Sequence, residues 1–167
     1  NTYYISVRVQ DQLANWSHTT DPWYVGSFVY DNAAPSAPAN IHAATGSAGA
    51  LPDTAWHTPT QQPTIQWDAS TDAGAGMHGT VPYKIKIGTS SGGTERLGET
   101  DCSTNSYALG VDLTAGTKYY VNVMAQDALG NQTAYQERVM YYDVTPPSDP
   151  GAPAVGTDFG GTRWTKD

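Results

Sequence analysis

The sequence predicts an all-β protein built from antiparallel β-sandwich modules, and three observations lead to this fold class. Turn residues are abundant, with 17 glycines and 11 prolines, while charged residues supply 14% of the chain, below the ~25% typical of soluble proteins. Tyrosine and tryptophan, which favour pleated and half-buried surfaces, number 11 and 5 against 2 phenylalanines. The third observation is an internal repeat, from which the domain boundaries follow.

The repeat consists of two pairs of matching segments. Residues 3–17 read YYISVRVQDQLANWS, and residues 119–133 read YYVNVMAQDALGNQT. The two segments align without a gap. Residues 30–38, which read YDNAAPSAP, match residues 142–150, which read YDVTPPSDP. A repeat of this length determines the architecture of a whole chain, so the modules are expected in tandem.

Three parts follow from the register of the repeat. Residues 1–34 are predicted to be the C-terminal half of a preceding module, and residues 35–145 a complete module. Residues 146–167 are predicted to be a linker and the start of a following module, because residues 161–166 resemble residues 53–58. Proline-rich joints separate the parts, and proline favours short, stiff, extended linkers.

Seven short strands are predicted in the complete module, because apolar and polar residues alternate there with a period of two between turn residues. Seven antiparallel strands without a helical period indicate a two-sheet sandwich. The predicted strands lie near residues 40–44, 64–67, 83–87, 95–97, 106–109, 118–126 and 137–142.

A family resemblance enters at residues 113–123, which read LTAGTKYYVNV. A leucine, a Gly-Thr turn, a tyrosine and alternating valines resemble the signature that leads into the sixth strand of fibronectin type III modules. The resemblance implies a fibronectin type III-like sandwich, with Tyr119 as the corner tyrosine that holds the preceding turn and Trp67 as the core tryptophan. The turn from Asp127 to Asn131 and the proline-rich exit look like the bacterial and archaeal surface versions of this fold.

Charge and hydropathy argue against several classes of partner. The net charge of −8 repels phosphate backbones, so nucleic acid is not an expected partner. The sequence has no apolar run of about 18 residues, so no membrane insertion is expected in this segment. Cys102 has no second cysteine to pair with and is predicted to be a small half-buried filler, with an intermolecular bridge as the alternative.

Motifs for catalysis are missing from the sequence. The four histidines, at positions 18, 42, 57 and 78, are scattered without metal-ligand spacing. No Gly-x-Ser-x-Gly elbow is present, and the glycine-rich stretch at 73–76 lacks the lysine and helix of a phosphate loop. We therefore expect no catalytic residues and no enzymatic activity.

Calcium is the predicted ligand, if there is one, because acidic and amide side chains converge at one pole of a sandwich of this topology. Asp68 and Asp72 follow the second strand, Asp127 and Asn131 follow the sixth, and Asp31 arrives with the preceding linker. Calcium takes six to eight oxygen ligands of these types. The alternative is that Asp, Asn and Gly serve the turns alone. No other cofactor is expected.

Two further binding features are predicted on exposed turns. Asn15 and Asn131 both begin Asn-x-Ser/Thr acceptors for glycosylation, although the same pattern could belong to the turn itself. Trp16, Trp23 and Tyr24 could stack on a carbohydrate or could cover the interface between neighbouring modules.

These patterns together predict a non-catalytic extracellular spacer or adhesion module of a large repetitive microbial surface or filament protein. Its expected partners are neighbouring modules of the same or identical chains, with cell-surface carbohydrate or protein as further candidates. The alternative function is an accessory, carbohydrate-associated module of a secreted polysaccharide-degrading enzyme. Modules that stack end to end give a rod whose length scales with copy number.

Overall fold

The computed structural model describes residues 1–17, 26–44, 56–57 and 61–149, and in these ranges the regular secondary structure is entirely β. Among the described residues, no helix has the length and apolar character needed to cross a membrane. The strands are β1 Thr2–Ile5, β2 Gly26–Val29, β3 Ala39–Ala44, β4 Trp56–His57, β5 Thr64–Asp68, β6 Tyr83–Gly88, β7 Leu97–Cys102, β8 Ser106–Ala108, β9 Thr117–Ala125 and β10 Gln136–Tyr142.

The central part of the chain forms two facing sheets. One sheet has five strands in the order β4-β10-β9-β6-β7, and the other has three in the order β3-β5-β8. All neighbours are antiparallel except β4 and β10, which run parallel. The predicted all-β sandwich is therefore present between residues 35 and 145.

Each of the seven predicted strands has a counterpart, with two differences. The strand predicted at 95–97 begins later, as β7, because Glu95 caps the preceding turn. Its carboxylate accepts hydrogen bonds from the Thr89 amide at 3.1 Å and from the Ser90 hydroxyl at 2.7 Å. The second difference is β4, an eighth strand of two residues, which the sequence pattern did not indicate.

The core lies between the sheets because alternate residues of each strand point inward. Such alternation buries one face of every strand and leaves the other for polar groups. Burial of the apolar face is the main stabilising term of such a sandwich. Three strands supply much of this core, with Ile65 and Trp67 of β5, Tyr83, Ile85 and Ile87 of β6, and Tyr119, Val121 and Val123 of β9, all 4% exposed or less.

Cys102 closes the end of β7 and is buried. Burial and the neighbouring Asp101 carboxylate raise the pKa of its thiol to about 11, so the thiol stays protonated and unreactive at neutral pH. The expected role as a small apolar filler is confirmed.

The corner tyrosine predicted from the family resemblance is also present. The Thr114 amide donates to the Tyr119 hydroxyl at 2.9 Å, and the Gly116 amide donates to the Tyr142 carbonyl at 2.8 Å. Gly116 adopts φ +73°, a region that side-chain-bearing residues rarely enter. Tyr119 therefore ties the turn before β9 to the core.

Replacing Tyr119 by Phe removes the acceptor for the Thr114 amide while keeping the ring. We expect the free energy of unfolding of the module to fall by about 1 kcal/mol, measured by urea denaturation. Tyr3→Phe is the matched control, because Tyr3 occupies the same place in the N-terminal copy and is exposed. Equal losses of unfolding free energy in the two variants would contradict the role of the Tyr119 hydroxyl in holding the turn.

Candidate functional site: an acidic pole and its linker

Asp127 organises the turn that follows β9. Its Oδ1 accepts hydrogen bonds from the Leu129 amide at 2.9 Å and the Asn131 amide at 2.8 Å, and its Oδ2 accepts from Asn131 Nδ2 at 2.7 Å. Gly130 supplies the positive φ of +88° that the turn requires. This single carboxylate thus satisfies three donors, a strong form of the Asx turn.

Asp127 is fully buried, with 0% of its surface exposed. Burial by itself raises the pKa of its carboxyl, but the hydrogen bonds from Asn131 and from the amides of Leu129 and Gly130 outweigh burial, so the pKa is lowered below 3.8. The group is therefore an anion at neutral pH, held by neutral donors.

The same turn exists in the N-terminal part of the chain. Asp11 Oδ1 accepts from the amides of Leu13 at 2.9 Å and Asn15 at 2.8 Å, and its Oδ2 accepts from Asn15 Nδ2 at 2.9 Å. Ala14 takes the positive φ, at +67°, where the other copy has glycine. The repeat of sequence is therefore a repeat of local structure, bond for bond.

The turn also uses the Asn-x-Ser/Thr pattern that suggests glycosylation. Thr133 Oγ1 accepts from the Ala125 amide at 3.0 Å, and Ser17 Oγ accepts from the Val9 amide at 3.1 Å. The asparagine and the hydroxyl residue both serve the turn, so the pattern has a structural explanation. Glycosylation of Asn15 and Asn131 stays a prediction.

The loop after β5 forms the second part of the pole. Asp72 Oδ2 accepts from the amides of Gly74 at 3.0 Å and Gly76 at 2.7 Å. The Ser70 amide donates to the buried Tyr83 hydroxyl at 2.7 Å, which anchors the loop to the core. Asp72 is half-buried, so its carboxylate is held at the pole and still reaches the surface.

The linker from the N-terminal part lies across this pole through Asp31. Its Oδ2 accepts from the Ala75 amide at 2.8 Å, and its backbone carbonyl accepts from Asn131 Nδ2 at 3.2 Å. Gly74 lies directly beneath the Asp31 carboxylate, and a Cβ at that position would overlap its atoms. A side chain at position 74 would therefore displace the Asp31 carboxylate from its place at the pole.

Ser36 makes a second attachment a few residues later. Its amide donates to the Thr71 carbonyl at 2.8 Å, and its Oγ accepts from the Thr71 amide at 2.8 Å. Pro35 and Pro38, on either side, are buried. The linker is thus bonded to the module at two places and packs against it with its prolines.

Four of the five predicted pole residues meet in the structure. Asp31, Asp72 and Asp127 each offer one carboxylate oxygen, and these oxygens lie within 4.8 Å of one another. Asn131 joins the group through its bonds to Asp31 and Asp127. The prediction for Asp68 is wrong as to place: its carboxylate accepts from Asn40 Nδ2 at 2.5 Å, because β3 pairs with β5 at that end.

This arrangement has the dimensions of a divalent cation site. Calcium–oxygen distances of about 2.3–2.6 Å put two ligands of one ion at most about 5 Å apart. Each carboxylate accepts bonds from its own turn and keeps further lone pairs, because an ionised carboxylate has about four acceptor sites. The turns account for these acids without an ion, so calcium stays a prediction.

Calcium titration tests that prediction. A bound ion stabilises the folded state by mass action, so millimolar calcium is expected to raise the melting temperature of the chelator-treated protein by several degrees. Asp72→Asn, which keeps an acceptor for Gly74 and Gly76, is expected to abolish the shift. Asp68→Asn is the matched control and is expected to retain the shift. An unchanged melting temperature of the unsubstituted protein on adding calcium would show that the calcium prediction is wrong.

Sequence reasoning missed three contributors to the pole: the Ala75 amide, the Ser36–Thr71 pair and the contact of Gly74. The spacing Asp-x-Gly-x-Gly at 72–76 was a signal for an Asx turn. No signal in a single sequence pairs Ser36 with Thr71, because their contact depends on the path of the linker over the folded loop.

The predicted carbohydrate-stacking residues are only partly described. Trp16 is 39% exposed, and the Arg8 guanidinium lies 3.5 Å from the centre of its ring. That cation–π contact occupies one face of the indole. Trp23 and Tyr24 lie outside the described residues.

The described histidines serve turns and strand ends. His78 Nδ1 accepts from the Val81 amide at 3.0 Å, and His42 Nδ1 lies 2.6 Å from the Asn40 carbonyl. His18 and the side chain of His57 lie outside the described residues.

The fold and the corner tyrosine define a class: the module is an all-β sandwich with the corner-tyrosine bond that the resemblance to fibronectin type III modules implies. Among solved structures the chain is similar to a protein described as Fn3-like from Clostridium thermocellum, with 25% identity and a TM-score of 0.40, over 69% of this chain and 100% of the other. No protein-family model and no curated protein matches the chain.

Proposed function

We propose that this chain is a non-catalytic structural spacer from a tandem array of fibronectin type III-like modules, in a large extracellular surface or filament protein of a microbe. The observation that carries the proposal is the bonded joint between linker and module. An array acts as a spacer only if its joints keep their angle. Here the linker is held by hydrogen bonds to the backbone of Thr71 and Ala75 and to the side chain of Asn131.

The local turn of the entering linker is repeated in the linker that leaves the module. The turn in the entering linker, where the Ala33 amide donates to Asp31 Oδ1 at 3.0 Å, recurs in the exit linker, where the Thr145 amide donates to Asp143 Oδ1 at 2.8 Å. Because the turn at Asp127 is also repeated, at Asp11, the repeat carries one part of the pole and the segment that docks on it. Joints with identical contacts give modules a constant relative orientation, and the array becomes a semi-rigid rod.

The proposal includes adhesion only in one sense: a rod of modules holds the domains at its far end away from the cell surface. The alternative is an accessory module of a polysaccharide-degrading enzyme, and exposed aromatic side chains free to stack on sugars would favour it. The partial covering of Trp16 by Arg8 gives that alternative no support. We therefore carry the spacer function forward alone.

Backbone relaxation measured by NMR tests the joint. In the entering linker, residues 31–37, we expect order parameters near the value of about 0.85 for rigid backbone, because Asp31 and Ser36 are bonded to the module. In the exit linker, residues 143–149, we expect values below about 0.6, typical of flexible segments. The two linkers have related sequences, so each serves as the other's control.

The double variant Asp31→Ala with Ser36→Ala removes the bonds that the linker's own side chains accept from the Ala75 and Thr71 amides, one at each attachment. The order parameters of residues 31–37 are expected to drop towards those of the exit linker, while those of β6 and β9 stay unchanged. A linker that is already flexible in the unsubstituted protein would overturn the spacer proposal, since a free hinge cannot hold distal domains at a set distance.

A further inference from the structure

The N-terminal strands β1 and β2, together with Val7 and Val9 just after β1, expose an apolar face. They pair antiparallel, with Tyr3 opposite Phe28, and no other described strand joins their sheet. Tyr3 is 44% exposed, Ile5 49%, Val7 60%, Val9 68% and Phe28 48%. Monomeric proteins rarely leave contiguous apolar surface of this kind in water, so the face marks an interaction site.

The second copy of the repeat shows what this face is. Counterparts of these residues lie on β9 and β10, where Tyr119 pairs opposite Met140 as Tyr3 does opposite Phe28. The counterparts are Tyr119, Val121, Val123, Ala125 and Met140, and none is more than 4% exposed. The exposed face therefore has the composition and spacing of a sandwich core.

The complete module also shows what covers such a face. On the edge of β9 away from β10 lies β6, in a register that places Tyr83 opposite Ala125, Ile85 opposite Val123 and Ile87 opposite Val121. Across the core, Ile65 and Trp67 of β5 belong to the same buried cluster. Strand β1 has β2 on one edge, and its other edge has no partner strand within the described residues.

We infer that β1 and β2 bind the complementary half of a module of the same repeat, with the sequence pattern of residues 35–118. A strand like β6 adds antiparallel to the open edge of β1 and of the residues that follow it, with its Tyr, Ile and Ile positions opposite Val9, Val7 and Ile5. A strand like β5 places its Trp position over the apolar face. Strand addition of this kind gains main-chain hydrogen bonds for affinity and alternate side chains for specificity.

A second copy of this chain is a poor occupant for the face. Its β6 is already paired on both edges, with β7 and β9. Its Ile65 and Trp67 are 2% exposed or less, inside the closed sandwich. A second copy would have to open its own core to cover the face, whereas a half-module without its own β9 and β10 has these groups available.

The experiment extends the chain. Residues 35–118 are repeated ahead of Tyr3, so that the added strands precede β1 as residues 35–118 precede Tyr119. Amide hydrogen exchange is then compared between the 167-residue chain and the extended chain. We expect exchange at residues 3–9 to slow by at least about 100-fold in the extended chain, independently of protein concentration, while residues 117–125 exchange equally in both.

The matched control carries Ile85→Asp and Ile87→Asp in the added copy only. Its residues 3–9 are expected to exchange as fast as those of the 167-residue chain, with residues 117–125 still protected as evidence that the original module is folded. Unchanged exchange at residues 3–9 in the extended chain would overturn the inference. Concentration-dependent protection in the chain without extension would also overturn it, because the occupant would then be a second copy.

This inference rests on the tandem arrangement of the proposed spacer, but it does not require a rigid joint. Linker relaxation at residues 31–37 and amide exchange at residues 3–9 are separate readouts. A flexible linker with slow exchange at residues 3–9 would contradict the spacer proposal and support the binding face. A rigid linker with fast exchange at residues 3–9 would support the spacer proposal and contradict the binding face.

Discussion

Trp67→Ala is expected to lower the free energy of unfolding of the module by about 3–5 kcal/mol, the range for removing a large buried aromatic residue. Trp67 is 2% exposed and meets Tyr83 edge to face, with ring centres 5.4 Å apart. It lies on β5, the middle strand of the three-stranded sheet, so the cavity would open at the centre of the core. Urea denaturation followed by far-UV circular dichroism measures the loss.

Two variants control this prediction. Trp67→Phe is expected to lose clearly less stability, because Trp67 Nε1 has no hydrogen-bond partner among the described residues, and the smaller ring forfeits packing alone. Trp16→Ala is expected to leave the transition of the module unchanged, since Trp16 lies in the N-terminal copy and is partly exposed. Equal losses for the Phe and Ala replacements of Trp67 would contradict a role based on packing volume.

Asp127→Ala is expected to lower the melting temperature of the module by on the order of 10 °C. The substitution removes the buried acceptor of three partly buried donors, the amides of Leu129 and Asn131 and the side chain of Asn131. Unsatisfied buried donors cost more than the hydrogen bonds themselves contribute. Differential scanning calorimetry measures the shift.

The control for Asp127→Ala is Asp11→Ala, which removes the same set of bonds from the exposed copy of the turn. Its effect on the melting of the module is expected to be absent. An equal shift in both variants would show that the loss does not depend on burial of the turn.

Acid is expected to erase the difference between Asp127→Ala and the unsubstituted protein. Hydrogen bonds outweigh burial and lower the pKa of Asp127 in the folded state below the ordinary value of an aspartate. A lowered folded-state pKa contributes stability above the unfolded pKa and loses it as the pH falls through the folded pKa. The two melting temperatures should therefore converge as the pH falls below about 4, and a constant gap down to pH 2 would contradict this assignment.

The strands were predictable because burial on one face leaves a period of two in the sequence. Strand β9 showed this pattern most clearly, with alternate positions that are all buried in the structure. Strand β4 was not predictable, because its two residues become a strand only by pairing with β10. A segment that short has no period of its own.

The acidic pole was predictable in part for a similar reason. Asp127 and Asn131 belong to a local turn that appears twice in the sequence, so their bonding depends on nearby residues alone. Asp31 lies 100 residues from Asn131 along the chain, and their contact exists only because the linker crosses the folded module. Asp68 was misplaced because the pairing of β3 with β5 brings Asn40 beside its carboxylate.

By itself, the sequence determined the all-β class, the period of the strands and the copied turns, because these depend on neighbouring residues and on burial of alternate side chains. Only the tertiary structure decided which acids meet at the pole, how the linker is bonded to the module, and that the N-terminal copy exposes the face which the other copy buries. Those features depend on contacts between segments far apart in the chain, and a local sequence pattern does not predict which distant segments meet.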